Sequence, residues 1–380
     1  MRPALHSAAI PSRTAQCHAS NLLRLPDGTL LCAWFGGSQE GLPDIAIWLS
    51  RLTPGSEEWS EPQKISAVDN RSCQNPVLFK APDTGKLWLF HTAQDVGNQD
   101  GAVLLTRTSE DDGKTWSEPS FPFGDRRGSL ARQPVQVLQD GTWALPVFNC
   151  RAPEGQRWIG NDDTSTILYT KDGGKTWGAS DVPEGVGAVH MNPIRPRDAS
   201  SPWIALFRSR WADNIYRSTS PDGLNWAPPQ PTKLPNPNSG ICASRLPSGQ
   251  LVVVFNRSRH EPGLAKREGL YDDITPESDK RPNQVAVHGK EAIWGMPRKA
   301  LTVGYSNDDG LTWKERILED GDGFCMTNDS MKKTNRELSY PSILIDDDGT
   351  TNIAFTFHRQ HIKYVRIDDV LGWVDEDPIA

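Results

Sequence analysis

The 380-residue sequence contains no apolar run of the length a helix needs to cross a bilayer, about 20 residues, so no membrane partner is expected. It lacks an N-terminal leader pattern as well, because MRPALHSAAIPSRTAQ is too polar and too broken by proline for a charged-then-apolar signal. As given, the chain reads as cytoplasmic, or as secreted if a leader has been removed. Excess positive charge is missing: 41 Lys and Arg against 48 Asp and Glu leave a net charge of -7, which gives no electrostatic case for nucleic acid. The six cysteines, Cys17, Cys32, Cys73, Cys150, Cys242 and Cys325, form no CxxC pair, and no histidine is spaced with them for zinc. Buried, reduced thiols are the expectation, with two or three disulfides as the alternative in an oxidising compartment.

What the sequence does have is repetition. TSEDDGKTW at 108–116, TKDGGKTW at 170–177 and SNDDGLTW at 306–313 share Asp, Gly, Thr and Trp at the same offsets. SPDGLNW at 220–226 and SRLTPGSEEW at 50–59 are weaker copies. A unit that returns at intervals of this size points to a blade-like array. In such a turn Asp and Ser can bond local backbone, Gly takes a conformation costly to other residues, and Trp packs over the sheet edge. The word holds too few ligands for a calcium loop. No cofactor is required on this reading, and a structural calcium is possible but not indicated.

A second set of words lies between the turns: CHASNLLRL, CQNPVLF, ARQPVQVL, HMNPIRP, PNSGICASRL and LSYPSILI, each followed by a turn and a mostly apolar strand. β-Branched and aromatic residues between Gly, Asp and Ser punctuation read as strands. The expected fold is all-β: one domain over 1–380, a six-bladed β-propeller of four-stranded antiparallel blades starting near 17, 73, 131, 190, 237 and 338, with seven blades as the alternative. The last blade lacks an Asp-bearing turn, so the segment before residue 17 is expected to supply its outer strand. Residues 258–300 form an insertion in blade five, and a connection of that length is more often functional than structural.

In an antiparallel blade the start of the first strand and the end of the second share one face, and the DxGxTW turns lie on the other. The first face then collects His18, Asn75, Arg132, Gln133, His190, Asn192, Asn238, Ser239 and Tyr340 from first strands. Second strands add His91, Arg151, Arg208, Arg210, Arg257, Arg259, His358 and Arg359. Glu40 and Asp44 fall on a loop over the same face. Singly, each is an ordinary solvated or hydrogen-bonded residue. Gathered about one axis, the cations repel unless an anion neutralises them, and a carboxylate suits bidentate Arg.

These turns resemble the Asp-boxes, or BNR repeats, of sialidases and their relatives, over nearly the whole chain. The resemblance implies six blades, an Arg triad for a carboxylate, a Tyr nucleophile partnered by Glu, and an Asp acid/base. SYPSI then looks like the nucleophile segment, with Tyr340, and GLPDIAIWLSR like the acid segment, with Asp44. The sequence departs from that pattern at His18, where sialidases place Arg, and at Asn238 and Ser239, where the partner Glu is expected. It is also similar to propellers that are rhamnosyl-glucuronate lyases, in which no paired carboxylates are needed. The resemblance implies a carbohydrate-active enzyme acting on an acidic glycan or oligosaccharide, and a monomer is the expectation for the chain. Uronate β-elimination is the leading expectation, an exo-α-sialidase the second, and a non-catalytic glycan-binding propeller the third. The candidate catalytic residues are His18, His91, His190, Tyr340 and Asp44. Asn75, Arg132, Arg208, Arg257, Arg359 and Asn238 are the candidate substrate contacts.

Overall fold

Apolar strands broken by Gly-containing turns fold here into six antiparallel sheets set one after another along the chain. The computed structural model describes residues 5–274 and 280–379; residues 275–279, within the expected insertion, lie outside the described residues. Blade one comprises Gln16–Arg24, Leu30–Gly37, Ala46–Leu52 and Gln63–Ser66. Blade two pairs Ser72–Lys80, Leu87–Gln94 and Val103–Ser109, and only a Thr106–Ser120 bridge stands where a fourth strand would lie. Blade three splits its first strand into Ser129–Ala131 and Gln136–Val137 before Trp143–Asn149, Thr164–Thr170 and Gly178–Asp181. Blade four runs Ala188–Ile194, Trp203–Ser209, Asn214–Ser220 and Gln230–Pro235, and blade five Cys242–Arg245, Leu251–Asn256, Leu301–Ser306 and Lys314–Glu319. Blade six is Leu338–Ile345, Thr351–Phe357 and His361–Ile367, completed by Leu5–Ile10 from the chain's other end. That strand gives the sixth blade a paired outer edge instead of an open one.

The core lies between neighbouring blades. Leu31, Ala33, Phe35 and Ile47 of blade one pack on Leu78, Leu87, Leu89 and Leu105 of blade two, and each later interface repeats the arrangement. Second strands are covered on both faces, which is why LLCAWFGG reads as a near-continuous apolar run and is buried throughout. All six cysteines are buried and free.

The Asp-bearing turns bind themselves. In the copy at 109–116, Ser109 Oγ donates to Asp111 Oδ1 at 2.7 Å, and Asp111 accepts the Thr115 amide at 2.8 Å and the Thr115 hydroxyl at 2.7 Å. Trp116 Nε1 donates to the Gly113 carbonyl at 3.1 Å. The copies at 170, 220 and 306 repeat these contacts. Both carboxylate oxygens are thus engaged by the turn's own donors. Partial burial opposes ionisation of Asp222 and Asp308, but the bonds from Asn225 and Thr312 win and hold both at about 2. Bonds from Thr115 and Thr176 hold Asp111 and Asp172 well below the ordinary range. A depressed folded-state value stabilises the fold above the unfolded value and loses that contribution as pH falls through the folded one. Stability is therefore expected to drop between about pH 4 and 2, and Asp308→Asn should flatten that part of a urea-unfolding series. An unchanged acid slope would remove the turns from the account.

Four of the innermost strands break register near their start, between His18 and Asn21, Gln74 and Val77, Val189 and Asn192, and Ser339 and Ser342. Within each bulge one residue takes positive φ: Ala19 (59°), Asn75 (53°), His190 (53°) and Tyr340 (51°). A bulge re-aims a side chain, and αL backbone at a bulky residue costs about 1–3 kcal/mol, so it persists only where surrounding structure enforces it. Enforcement comes from the next blade. Asn21 Oδ1 accepts the Leu78 amide at 2.9 Å, Asn192 Oδ1 the Ala243 amide at 2.6 Å, and Ser342 Oγ the Leu22 amide at 3.0 Å.

Candidate active site

Two of these bulges, with three arginines, build the centre of the face opposite the Asp-bearing turns. The Tyr340 ring lies 4.2 Å from His18 and 5.6 Å from His190, centroid to centroid. The guanidinium carbons of Arg132, Arg208 and Arg298 stand 5.4, 5.5 and 5.5 Å from the same ring. Tyr340 is 8% exposed and Arg208 1%. Arg208 Nη1 donates to Tyr340 Oη at 2.5 Å, and its Nε to Asn238 Oδ1 at 2.7 Å. Among the described residues that is the one hydrogen bond at Tyr340 Oη. Burial draws the Arg208 guanidinium down to about 9, so it remains charged at neutral pH.

Arg132 crosses the axis. It donates to the carbonyls of Ser20 at 3.2 Å, Tyr340 at 3.1 Å and Pro341 at 2.8 Å, tying blade three to the bulges of blades one and six. Its free donor is Nε, so the residue expected to bind substrate is mostly committed to the scaffold. Among the described residues Arg208 Nη2, Arg298 Nε and His190 Nδ1 are likewise buried without a partner. Buried donors normally have acceptors, and these surround Tyr340.

A carboxylate braces the wall. Glu337, fully buried, accepts from Arg298 Nη1 at 2.5 Å, from Arg359 Nε, from Ser339 Oγ at 2.5 Å and from Asn335 Nδ2 at 3.2 Å. Arg359 reaches on to Glu40 Oε2 at 2.7 Å. Burial alone would raise the Glu337 carboxyl, but Arg298 and Arg359 overcome it and hold the group ionised. Further out, Asp163 pairs with Arg210 at 2.8 Å beneath Trp158 and Trp294. Around this centre five buried guanidiniums (Arg132, Arg208, Arg210, Arg298, Arg359) thus meet three buried carboxylates (Glu40, Asp163, Glu337), and among the described residues Arg132 and Arg208 have no carboxylate partner.

Among the histidines, His18 Nδ1 lies 2.9 Å from Thr356 Oγ1, which also accepts the Ala19 amide, and Nε2 lies 3.5 Å from Arg359. Both ring nitrogens are occupied. His190 turns Nε2 toward Arg208 at 3.4 Å and leaves Nδ1 open. Burial first, then the neighbouring Arg359 or Arg208, pushes each imidazole well below its ordinary value, so both are neutral.

The structure leaves three expected residues elsewhere. His91 is buried between blades one and two, bonded to Ser66 Oγ at 2.8 Å and the Thr92 carbonyl at 3.1 Å. Arg257 faces outward onto Glu315 at 3.0 Å, because the strand ends at Asn256 and the insertion turns the chain away from the axis. Asp44 is exposed and caps its own loop through the Ser38 amide at 2.7 Å and hydroxyl at 2.9 Å. Asn75 is buried at its bulge, and Asn238 positions Arg208.

Sequence reasoning missed Arg298 and Trp294, which come from the insertion. Its described residues dock over this face: Ile293 N donates to the Arg210 carbonyl and Asn238 Nδ2 to the Ile293 carbonyl, both at 2.8 Å. Trp294 covers Arg208 and Arg210. Tyr271 Oη accepts from Gln94 Nε2 at 2.8 Å and Gln99 Nε2 at 3.2 Å. A loop without hydrophobic period carries no signal for which of its residues turn inward.

No curated protein matches this sequence. Among solved structures, a Hadza microbial sialidase superposes with a TM-score of 0.66 at 16% identity over 93% of this chain, which spans 65% of that protein's length. A protein of unknown function from Dyadobacter fermentans gives 0.68 at 15% identity, covering 96% of this chain and 98% of its own. The intramolecular trans-sialidase of Ruminococcus gnavus gives 0.65 at 11% identity, covering 97% and 98%. At such identities the likeness is one of fold. Residues 28–353 match the family described as BNR repeat-like domain, and with the six blades and self-bonded Asp turns they show that the chain belongs to that family, as a sialidase-like β-propeller.

Proposed function

We propose that the protein is a carbohydrate-active enzyme that cleaves a glycosidic linkage at an acidic sugar, by β-elimination at a uronate. The carrying observation is that Tyr340 Oη is held by Arg208 while the nearest acid in sequence, Glu337, has both oxygens engaged by Arg298, Arg359, Ser339 and Asn335. In β-elimination the uronate C5–H bond breaks, its electron pair forms the C4–C5 double bond, and the C4–O bond to the leaving sugar breaks. Tyr340 takes the C5 proton and returns one to the leaving oxygen, a role that needs no carboxylate beside it. That oxygen is negatively charged before it takes the C5 proton, neutral while it holds it, and charged again once the proton has gone to the leaving oxygen; the Arg208 guanidinium donating to it favours the charge at both ends of the cycle. Arg208 Nη2 and neutral His190 Nδ1–H, two of the four unpartnered donors around Tyr340, would take the uronate carboxylate, whose neutralisation acidifies C5.

A retaining sialidase reaction with Tyr340 as nucleophile is the second reading, favoured by the likeness to sialidase folds. Against it stands the Arg208 partner in place of Glu. Incubation with rhamnosyl-glucuronate glycans and with sialosides separates the two. Ultraviolet-absorbing unsaturated uronate is expected. Free sialic acid instead would replace the lyase reading, and binding without either product would make the protein a glycan-binding propeller.

A further inference from the structure

We propose that the cleft lined by Asp125, Arg126, Arg127, Ser129 and Arg151 is a distal subsite for a second anionic group, carboxylate or sulfate, on the same glycan chain; this rests on the acidic-sugar reading above. The cleft is about 370 Å³ and opens at the start of the first strand and the end of the second strand of blade three, on the face that holds Tyr340. In a protein of net charge -7, three guanidiniums converge there. Arg126 and Arg151 have no carboxylate partner among the described residues. Arg127 meets Asp125 only at 3.5 Å with both largely exposed, a pair worth little in water.

The floor of the cleft is fixed backbone. Gly128 donates to the Ala102 carbonyl at 2.8 Å and accepts from the Cys150 amide at 2.7 Å, joining the two chain segments that carry Arg127 and Arg151. Its φ is +75°, and a Cβ there would lie 2.2 Å from the Cys150 carbonyl oxygen, so only glycine lets the segments meet this closely. Ser129 Oγ is held by Asn149 Oδ1 at 2.8 Å. The short strand Ser129–Ala131 leads directly to Arg132, a backbone span of roughly 10 Å from Ser129 at the usual rise per residue, and the Arg132 guanidinium stands at the Tyr340 ring. A glycan whose reacting sugar lies at Tyr340 can therefore lay a neighbouring acidic sugar over the cleft. Arg is suited to this, since its planar fork takes carboxylate or sulfate oxygens in pairs.

The test uses the full chain carrying Tyr340→Phe, which is expected to slow turnover, with and without Arg126→Gln, Arg127→Gln and Arg151→Gln together. Calorimetric titration with an oligoglucuronate is expected to weaken about tenfold on the triple substitution, and the difference should shrink at high salt. Oligoglucuronate whose carboxyls have been reduced to alcohols should bind both forms alike. Equal affinity of the two forms for the charged oligosaccharide overturns the subsite. Because the readout is binding, a failure of the lyase assay leaves it intact. In the catalytically competent chain the triple substitution should raise KM for long chains and leave turnover of a disaccharide unchanged; an equal loss on both would overturn the distal placement.

Discussion

Tyr340→Phe is expected to lower turnover by about 10²–10⁴-fold, the range a positioned proton-transfer group contributes, while the six-bladed fold is retained. The substitution keeps the ring that packs on His18 and His190 and removes only the oxygen that Arg208 Nη1 reaches. Arg208 would keep Asn238 Oδ1 and lose one acceptor, at a cost of about 1–3 kcal/mol for a buried donor. The measurement is initial rate on the cleaved substrate, beside a melting curve and far-ultraviolet circular dichroism. A folded Tyr340→Phe protein with full turnover would remove the tyrosine from the mechanism and turn attention to His190, the imidazole beside the ring whose Nδ1 is unengaged among the described residues. His18→Asn is a useful contrast. Both nitrogens of His18 are used by the scaffold, so it should affect stability more than turnover, although it touches the same ring.

Glu337→Gln is expected to be among the most destabilising single changes in the chain. It deletes the charge that Arg298 and Arg359 share and leaves two guanidiniums buried, with Glu40, among the described residues, the only carboxylate still touching either. Removing one partner of a buried ion pair costs about 3–5 kcal/mol, because the remaining charge is not rehydrated. For a chain of this size that corresponds to a fall of roughly 4–6 °C in Tm. Glu40→Gln removes only the second contact of Arg359, whose link to Glu337 persists, and should cost less. Thermal unfolding of the two variants side by side gives the comparison. A wild-type melting temperature for Glu337→Gln would mean that the carboxylate is not ionised in the folded protein.

The repeat words were sufficient for the architecture because their chemistry is local. An Asp two residues after Ser and four before Thr finds both within its own turn, whatever surrounds it. The alternation of such turns with apolar strands leaves few folds open. The face that collects the candidate residues was legible for the same reason: the position of a turn in a blade fixes which strand ends lie opposite. His18, Arg132, His190, Arg208, Tyr340 and Arg359, named from strand positions, do come together around the axis.

Their roles were not legible, because those depend on partners brought by distant segments. Arg132 and Arg208 look alike on paper, yet one is held by three backbone carbonyls across the axis and the other meets a phenol oxygen. Arg257 and Arg359 end corresponding strands, but the insertion carries one outward to Glu315 and Glu337 draws the other inward. Arg298 lies in a stretch with no strand period, and only docking of that stretch between blades places it at the site. The sequence by itself determined the six blades and the face on which the candidate residues gather, since hairpin turns and strand alternation are satisfied within a few residues. Only the tertiary structure decided which guanidinium is scaffold and which is free for an anion. That choice is set by burial and by acceptors hundreds of residues away, and no local pattern encodes it.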